Sequence, residues 1–209
     1  WPTTARTGRL MVKQFDEEVG NHLWLLLDLD QDVQMGNERE VTDEQAVTVA
    51  ASVARKYLGL RVPVGLVASG DKLLSVPATL DGEQLPQILT ALANARAEGQ
   101  IPLAGTLSQE WAQFQRSSTL MVITPSTDPE WVAHLARLMR RGVMVIAVLV
   151  DPVSFGGSES IEPVLERLLS SGVPSYVVRR RESLTTALAS PYRASAPVGV
   201  SVQSQESIG

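Results

Sequence analysis

The sequence predicts an α/β fold with a doubly wound, mainly parallel sheet, helices on both of its faces and one antiparallel strand at its edge. Short apolar runs, of the length of strands buried on both faces, alternate with longer segments in which apolar residues recur at helical spacing. Such alternation is typical of parallel strands joined by right-handed crossover helices. Only Gly70 and Asp71 separate two of the runs. Because so tight a turn cannot join parallel strands, it predicts an antiparallel hairpin.

The predicted strands are apolar runs that end at polar or turn-forming residues. They lie at residues 23–27, 62–69, 72–78, 119–124, 143–150 and 176–178. Three acids, Asp28, Asp30 and Asp32, follow the first run at alternate positions. Ligands of open α/β sheets bind where the carboxyl ends of the strands meet the loops. The three carboxylates repel one another, so a cation, basic neighbours or exposure to water must offset their charge.

The predicted helices begin at capping residues. Thr42 and Gln45 form a capping box for the first helix. Asp81 caps the second helix, and Asp128 followed by Pro129 begins a later one. A short helix follows a loop at residues 101–106, and two more are predicted at residues 161–169 and 182–189. Each predicted helix lies between two strands or closes the last one, as a doubly wound fold requires.

Length, net charge and cysteine content limit the domain organisation of the chain and the classes of function that it can have. With 209 residues the chain can bury one large core, predicted at residues 21–189, between an extended arm at residues 1–20 and a flexible tail at residues 190–209. A formal net charge of -5 argues against binding to nucleic acid. The absence of cysteine excludes disulfides and thiolate chemistry. Because the chain opens on Trp1 and not on Met, we expect it to be a piece of a longer protein.

Four features of the sequence resemble one bacterial family. They are Trp1, the arm at residues 4–12, the strand that ends at Asp28, and the pair Gly105-Thr106. In this order they are similar to the C-terminal part of domain of unknown function family 58, whose domain resembles the von Willebrand factor A domain. The resemblance spans roughly residues 1–152. It implies a doubly wound fold, a metal-ion-dependent adhesion site, company with MoxR-type ATPases and, in full-length members, a membrane-embedded region ahead of this domain.

The resemblance also implies which residues would hold Mg²⁺ or another divalent cation. The family site uses an Asp-x-Ser-x-Ser loop after the first strand, a Thr from a later loop and a final Asp. Asp28 matches the first Asp and Thr106 the Thr, whereas Asp30 and Asp32 stand where the serines belong. Asp128 is the nearest substitute for the final Asp. Mg²⁺ usually keeps several waters and takes one or two carboxylates. Three acids would neutralise it more fully, so we expect the site to be degenerate.

Two of these residues also have a purely structural interpretation. Thr106 followed by Gln109 matches a helix cap. Asp128 before Pro129 matches an N-cap with proline in the first turn. For both residues the capping and the metal-binding interpretations stay open.

The alternative function is a Mg²⁺-dependent phosphatase or phosphotransferase of haloacid-dehalogenase type, since Asp-x-Asp after a buried strand also resembles the nucleophile loop of that family. In this interpretation Asp28 attacks phosphate and Asp30 acts as acid or base. Thr124 would bind phosphate and Asp151 would help to hold the metal. That family also needs a basic residue, usually Lys, after the Thr, and all lysines of this chain precede Thr124.

The expected function is therefore non-enzymatic. We expect a protein–protein interaction module that docks a partner at the carboxyl ends of the strands, and the resemblance implies a MoxR-type ATPase as that partner. The loops with Asp28, Thr106 and Asp128 would form the docking surface. The resemblance further implies a membrane-anchored full-length protein at the cytoplasmic face of the bacterial membrane, with this fragment as a soluble part.

Overall fold

A six-stranded sheet forms the centre of the computed structural model, which describes residues 21–37 and 40–193. The predicted arm at residues 1–20 lies outside the described residues, as does the predicted tail from residue 194 onwards. The strands are β1 (Leu23–Asp28), β2 (Gly36–Asn37), β3 (Glu40–Val41), β4 (Val64–Ser69), β5 (Leu73–Thr79), β6 (Thr119–Thr124), β7 (Met144–Val150) and β8 (Ser175–Val178). The helices are α1 (Thr42–Gly59), α2 (Gln84–Asn94), α3 (Leu103–Glu110), α4 (Val132–Arg140), α5 (Glu162–Ser170) and α6 (Leu184–Ala187). None of these described helices is long and apolar enough to cross a membrane.

The strands lie in the order β5-β4-β1-β6-β7-β8, and β2 and β3 form a separate small hairpin. Neighbours in the large sheet are parallel except β4 and β5, which form the antiparallel hairpin at one edge. This order confirms the predicted fold class. β1 lies inside the sheet, where Leu25 pairs with Leu66 of β4 and with Met121 of β6.

β1 is buried on both faces, as its unbroken apolar sequence predicts. Leu25 and Leu27 belong to the core layer formed with α1 and α2, whereas Trp24 and Leu26 belong to the layer formed with α3, α4 and α5. No residue of β1 is more than 8% exposed. Burial of each leucine side chain contributes roughly 1.5–3 kcal/mol, so this strand anchors both helical layers to the sheet.

The chain leaves β1 and β6 towards opposite faces of the sheet, which opens a crevice at the carboxyl ends of these two strands. α1, which follows β1, packs on one face, and α4, which follows β6, packs on the other. Such a reversal marks the ligand-binding crevice of open α/β sheets. Asp28 ends β1 and Thr124 ends β6. Both side chains therefore lie at the crevice.

The predicted capping box at the start of α1 is wrong. The N-cap is Val41, and it makes no side-chain capping bond. The hydroxyl of Thr42 instead donates to Gln34 Oε1 at 2.8 Å and accepts the backbone N–H of Met35 at 2.9 Å. The hydroxyl of Thr42 holds the loop after β1, a role that depends on tertiary structure and not on local spacing.

α3 begins earlier than predicted, within the segment that was expected to be a loop. It starts at Leu103 after Pro102 as N-cap. Thr106 therefore lies inside the helix, where its backbone N–H donates to the Pro102 carbonyl at 3.1 Å, and the interpretation of Thr106 as a helix cap is wrong. Leu103 and Leu107, four positions apart, are both buried, which is the helical spacing that Gly105 obscures in the sequence.

Candidate functional site

The carboxylate of Asp28 is the centre of the crevice. Its Oδ2 accepts a hydrogen bond of 2.6 Å from the hydroxyl of Thr124, and its Oδ1 accepts the backbone N–H of Asp30 at 3.2 Å. Asp28 and Thr124 are both fully buried. Each oxygen of this carboxylate is thus bonded by a donor of the same chain.

Burial raises the pKa of Asp28 to about 6, because desolvation penalises its charged form. The hydrogen bonds from Thr124 and from the N–H of Asp30 oppose this rise, while the nearby charge of Asp30 adds to it. The hydroxyl of Thr124 also accepts the backbone N–H of Ser126 at 2.9 Å. Since that N–H occupies the acceptor side of the hydroxyl, the hydroxyl proton is directed at Asp28.

The loop after β1 is held by its own side chains and by Gln34. Asp30 Oδ1 accepts the backbone N–H of Asp32 at 3.3 Å and so caps the short 3-10 turn Gln31–Val33. The amide nitrogen of Gln34 donates to the carbonyl of Asp28 at 3.2 Å and to the carbonyl of Asp30 at 3.1 Å. Hydrogen bonds within the protein therefore fix the conformation of this acidic loop.

A second loop closes over the acidic loop at Gly99. Asp30 and Gly99 form a parallel bridge, in which Gln31 N–H donates to the Gly99 carbonyl at 2.9 Å and Gly99 N–H donates to the Leu29 carbonyl at 3.1 Å. A Cβ atom at Gly99 would lie 2.7 Å from the Ser69 carbonyl oxygen. Only glycine allows this close approach of three backbone segments.

Thr106 is 1% exposed, and its hydroxyl has no hydrogen-bond partner among the described residues. α3, which carries it, packs beside the 3-10 turn Pro129–Trp131, and the indole nitrogen of Trp131 is likewise buried without a described partner. Buried polar groups usually find partners. Thr106 is one of the predicted metal ligands, and its hydroxyl oxygen forms no hydrogen bond with the described part of the chain.

Asp128 caps the next element. Its side chain is exposed, and its Oδ1 accepts the backbone N–H of Glu130 at 2.9 Å at the start of the turn Pro129–Trp131. The N-cap interpretation of Asp128 is therefore confirmed. Asp151, the metal ligand of the phosphatase interpretation, has a similar role, because it accepts Val153 N–H at 3.1 Å and pairs with Arg179 at 3.3 Å.

The acids of the described segments do not fit a divalent cation as they are arranged. No three Asp, Glu or His side chains among residues 21–37 and 40–193 are grouped so as to hold a metal ion, and both oxygens of Asp28 already accept hydrogen bonds. Backbone N–H groups link Asp28, Asp30 and Asp32 to one another. Thr106 and Asp128 lie on two other elements. The set Asp28, Asp30, Asp32, Thr106 and Asp128 stays a prediction.

A cavity of about 230 Å³ opens beside the acidic loop. Its walls combine apolar groups with three carboxylates, from the loops after β1, β6 and β7. The lining residues are Asp32, Val33, Met35, Pro125, Ser126, Thr127, Asp128, Pro152, Gly157, Ser158 and Glu159. Sequence reasoning missed Met35, Glu159 and the structural role of Gln34, since polar loops carry no periodic signal that would select them.

Sequence comparison finds two matches. The family described as protein of unknown function DUF58 matches residues 1–154 of this chain. The uncharacterized protein YeaD of Bacillus subtilis is 23% identical over 181 residues, which is 86% of this chain. The chain spans 42% of the length of YeaD, so the similarity concerns one part of a longer relative.

Solved structures share the fold at low sequence identity. The SpRpn10 VWA domain is 14% identical with a TM-score of 0.53, and the match covers 82% of this chain and 93% of that domain. Proximal thread matrix protein 1 from the mussel byssus, with a zinc occupied MIDAS motif, is 13% identical with a TM-score of 0.55, and the match covers 82% of this chain and 46% of the mussel chain. Such likeness shows a von Willebrand A-like fold. The zinc is a property of the mussel protein.

Proposed function

The chain belongs to the protein family of unknown function DUF58, whose model matches residues 1–154, and on that premise we propose that it is a von Willebrand A-like protein-interaction module. Its docking surface is the carboxyl edge of the sheet around the cavity beside the acidic loop. We call this surface the crevice face and define it by Asp32, Met35, Thr127, Asp128 and Glu159. The partner docks there without chemical change to either protein.

One observation carries the proposal: the carboxylate of Asp28 is buried and bonded by Thr124 and by the N–H of Asp30. A carboxylate in that state has both of its oxygens bonded by donors of its own chain, which favours a structural role over attack on a substrate or coordination of a metal ion. What reaches solvent at this edge is Met35, which is 39% exposed, together with the exposed carboxylates of Asp32 and Glu159. An apolar group rimmed by charges is typical of protein-binding surfaces.

The metal site is degenerate in this proposal, and docking needs no divalent cation. Asp30 and Asp32 occupy the positions of two family serines. The carboxylate of Asp30 accepts the backbone N–H of Asp32 and so supports the loop, whereas the carboxylate of Asp32 is exposed. The internal hydrogen bonds to Asp28 stabilise its negative charge, as a bound cation would otherwise do.

The partner is a MoxR-type ATPase, and the full-length protein acts from a membrane anchor at the cytoplasmic face. The family resemblance supports both parts of this proposal. The acidic and apolar composition of the crevice face favours a partner surface with basic side chains around an apolar centre.

Biolayer interferometry with a purified MoxR-type ATPase from the same genome tests the proposal. We expect Asp32→Lys to weaken binding about tenfold or more, because it reverses a charge at the crevice face, and EDTA to leave binding unchanged. Glu83→Lys is the matched control. Glu83 is exposed next to Gln84, whose amide bonds the Val64 carbonyl at the opposite edge of the sheet.

Three outcomes would contradict the proposal. Equal loss in Asp32→Lys and Glu83→Lys would mean that the crevice face is not the docking surface. Loss of binding in EDTA that Mg²⁺ restores for the unmodified protein but not for Asp28→Ala would mean that the metal site is intact. Absence of binding by the unmodified protein would exclude this ATPase as the partner.

A further inference from the structure

A second cavity, of about 310 Å³, lies between α3 and α4. It shares no lining residue with the cavity at the crevice face. Leu107 of α3 and Leu138 of α4 form its apolar floor, and both are buried. We call this cavity the α3–α4 groove.

One wall of the groove is basic. His134, Arg137 and Arg141 line it, at positions i, i+3 and i+7, which place them on one side of α4 and of the helical residue that follows it. Arg137 and Arg141 are exposed. Their guanidinium groups are four positions apart, so they repel each other.

No described carboxylate neutralises these two arginines. Where both partners lie in residues 21–37 and 40–193, the ion pairs within 4.0 Å join Arg179 to Asp151, and Arg180 and Arg181 to Glu40. Two uncompensated like charges beside a cavity favour an anionic group from outside the described structure.

An aromatic side chain lies at one end of the groove. Trp111 is 50% exposed, and the guanidinium carbon of Arg141 lies 4.2 Å from the centre of its ring. Arg141 Nη1 also donates to the Trp111 carbonyl at 3.4 Å. The stacking holds the guanidinium in place, and its other N–H groups have no partner among the described residues, so that less conformational entropy is lost when a ligand binds.

The other end of the groove is tied by a polar contact. Ser108 Oγ of α3 lies 3.1 Å from His134 Nδ1 of α4. Together with the Arg141–Trp111 stack, this contact fixes the two helices against each other across the cavity. The groove is therefore formed before any ligand arrives, which favours binding.

We propose that the α3–α4 groove binds an acidic segment of a partner protein. Carboxylates of the segment pair with Arg137 and Arg141, since guanidinium and carboxylate groups form paired hydrogen bonds. An apolar side chain between those carboxylates packs on Leu107 and on the exposed face of Trp111. The proposal does not depend on the docking surface proposed at the crevice face.

Charge and shape favour an acidic peptide over the other polyanions. The whole chain carries a formal net charge of -5. A nucleic acid or an anionic membrane spreads its negative charge over a large area, so the negatively charged surface outside the groove would repel it. A short acidic segment brings its charge only to the two arginines. Trp and Arg are also the residues that carry most of the binding energy in protein interfaces.

Fluorescence anisotropy with a short labelled peptide of glutamate and leucine tests the proposal on the full chain. We expect saturable binding, weakened about tenfold or more by Arg137→Glu and by Arg141→Glu, and weakened also by Trp111→Ala. Arg140→Glu is the matched control, because Arg140 is exposed on the same helix but does not line the groove. Circular dichroism melting curves confirm that each variant is folded.

The following results would overturn the proposal. Equal effects of Arg137→Glu and Arg140→Glu, or equal binding of a peptide with lysine in place of glutamate, would mean that the groove is not selective. Binding of phosphatidylserine vesicles or of single-stranded DNA in place of the peptide would assign the groove to another polyanion.

Discussion

The hydroxyl of Thr124 donates a hydrogen bond of 2.6 Å to the fully buried carboxylate of Asp28, across 96 positions of the sequence. This hydrogen bond joins the carboxyl ends of β1 and β6, the two strands from which the chain leaves towards opposite faces of the sheet. Because the same hydroxyl accepts the N–H of Ser126, the bond also sets the path of the loop after β6. The charge of one carboxyl group is thus coupled to the shape of the crevice face.

Thr124→Val removes the donor and keeps the branched shape of the side chain. Since a hydrogen bond to a charged group contributes about 1.5–3 kcal/mol, we expect a loss of that size in the free energy of unfolding at about pH 8, where Asp28 is ionised. The loss should be smaller at about pH 5. Urea unfolding at the two pH values measures both. Thr127→Val, which removes a hydroxyl bonded to the exposed Glu159, is the control, and an equal loss at the two pH values for Thr124→Val would contradict the prediction.

Asp28→Asn tests the cost of the buried charge. Because burial raises the pKa of Asp28 from 3.8 to about 6, the folded protein binds this proton more tightly than the unfolded chain does. The group therefore stabilises the fold fully below pH 3.8, and this contribution is lost as the pH rises through about 6. Above that range the buried charge lowers the free energy of unfolding by on the order of 3 kcal/mol.

We expect the free energy of unfolding of Asp28→Asn, relative to the unmodified protein, to rise between about pH 4 and about pH 7.5. Chemical denaturation at intermediate pH values measures the difference. Asp32→Asn is the control, because it makes the same chemical change at a carboxylate that is exposed. A flat difference for Asp28→Asn would show that its carboxyl titrates in its ordinary range.

Gly99→Ala tests the contact between the two loops. The added Cβ would lie 2.7 Å from the Ser69 carbonyl oxygen and 2.9 Å from that of Leu29, so backbone must move. We expect a destabilisation of about 1–3 kcal/mol, measured by thermal or urea unfolding. Gly82→Ala, whose Cβ would meet nothing within 4 Å, should change stability by about 0.5 kcal/mol or less. Similar values for the two variants would mean that the loops adjust freely.

Divalent cations are expected to leave the stability of the protein unchanged. A cation held at about a hundred times its Kd would stabilise the fold by about 2.7 kcal/mol, which a thermal shift readily detects. Isothermal titration with Mg²⁺, Mn²⁺ and Ca²⁺ provides the direct measurement, with Asp28→Ala as the comparison. Heat that disappears in Asp28→Ala would show that the crevice binds metal after all.

An assay with a generic aryl phosphate distinguishes a docking module from a phosphatase or phosphotransferase. With Asp28 buried and bonded at both oxygens, we expect no turnover in the presence of Mg²⁺. Release of the phenol, measured by absorbance, is the readout. Turnover that is lost in Asp28→Asn would establish the phosphatase instead.

The layout of the sheet could be predicted from the sequence because its strands are buried on both faces. Burial on both faces selects consecutive apolar residues, as in Leu23–Leu27 of β1 and Leu120–Ile123 of β6, and such runs can be recognised without knowledge of the neighbouring strands. The hairpin at Gly70 and Asp71 was equally visible, since its turn length alone excludes parallel pairing. The N-cap at Asp128 is a local signal and was confirmed.

The chemistry of the crevice could not be predicted because it depends on partners distant in sequence. Nothing near Asp28 reveals that Thr124 bonds it, and spacing assigned Thr42 to a cap although its hydroxyl reaches back to Gln34. The start of α3 was missed for a related reason: Leu103 and Leu107 are too few to show a helical period without knowledge of their burial.

The outer strand of the hairpin, β5, has a consequence for how the protein behaves in solution. Pro77 lies within it, and the pairing of β5 with β4 shifts register between Val64 and Leu66, so that the extra residue lies on β5. Proline has no N–H to offer, and an irregular edge is a poor template for further pairing. This edge therefore disfavours extension of the sheet by a second chain, which reduces aggregation through it in a sequence rich in apolar runs.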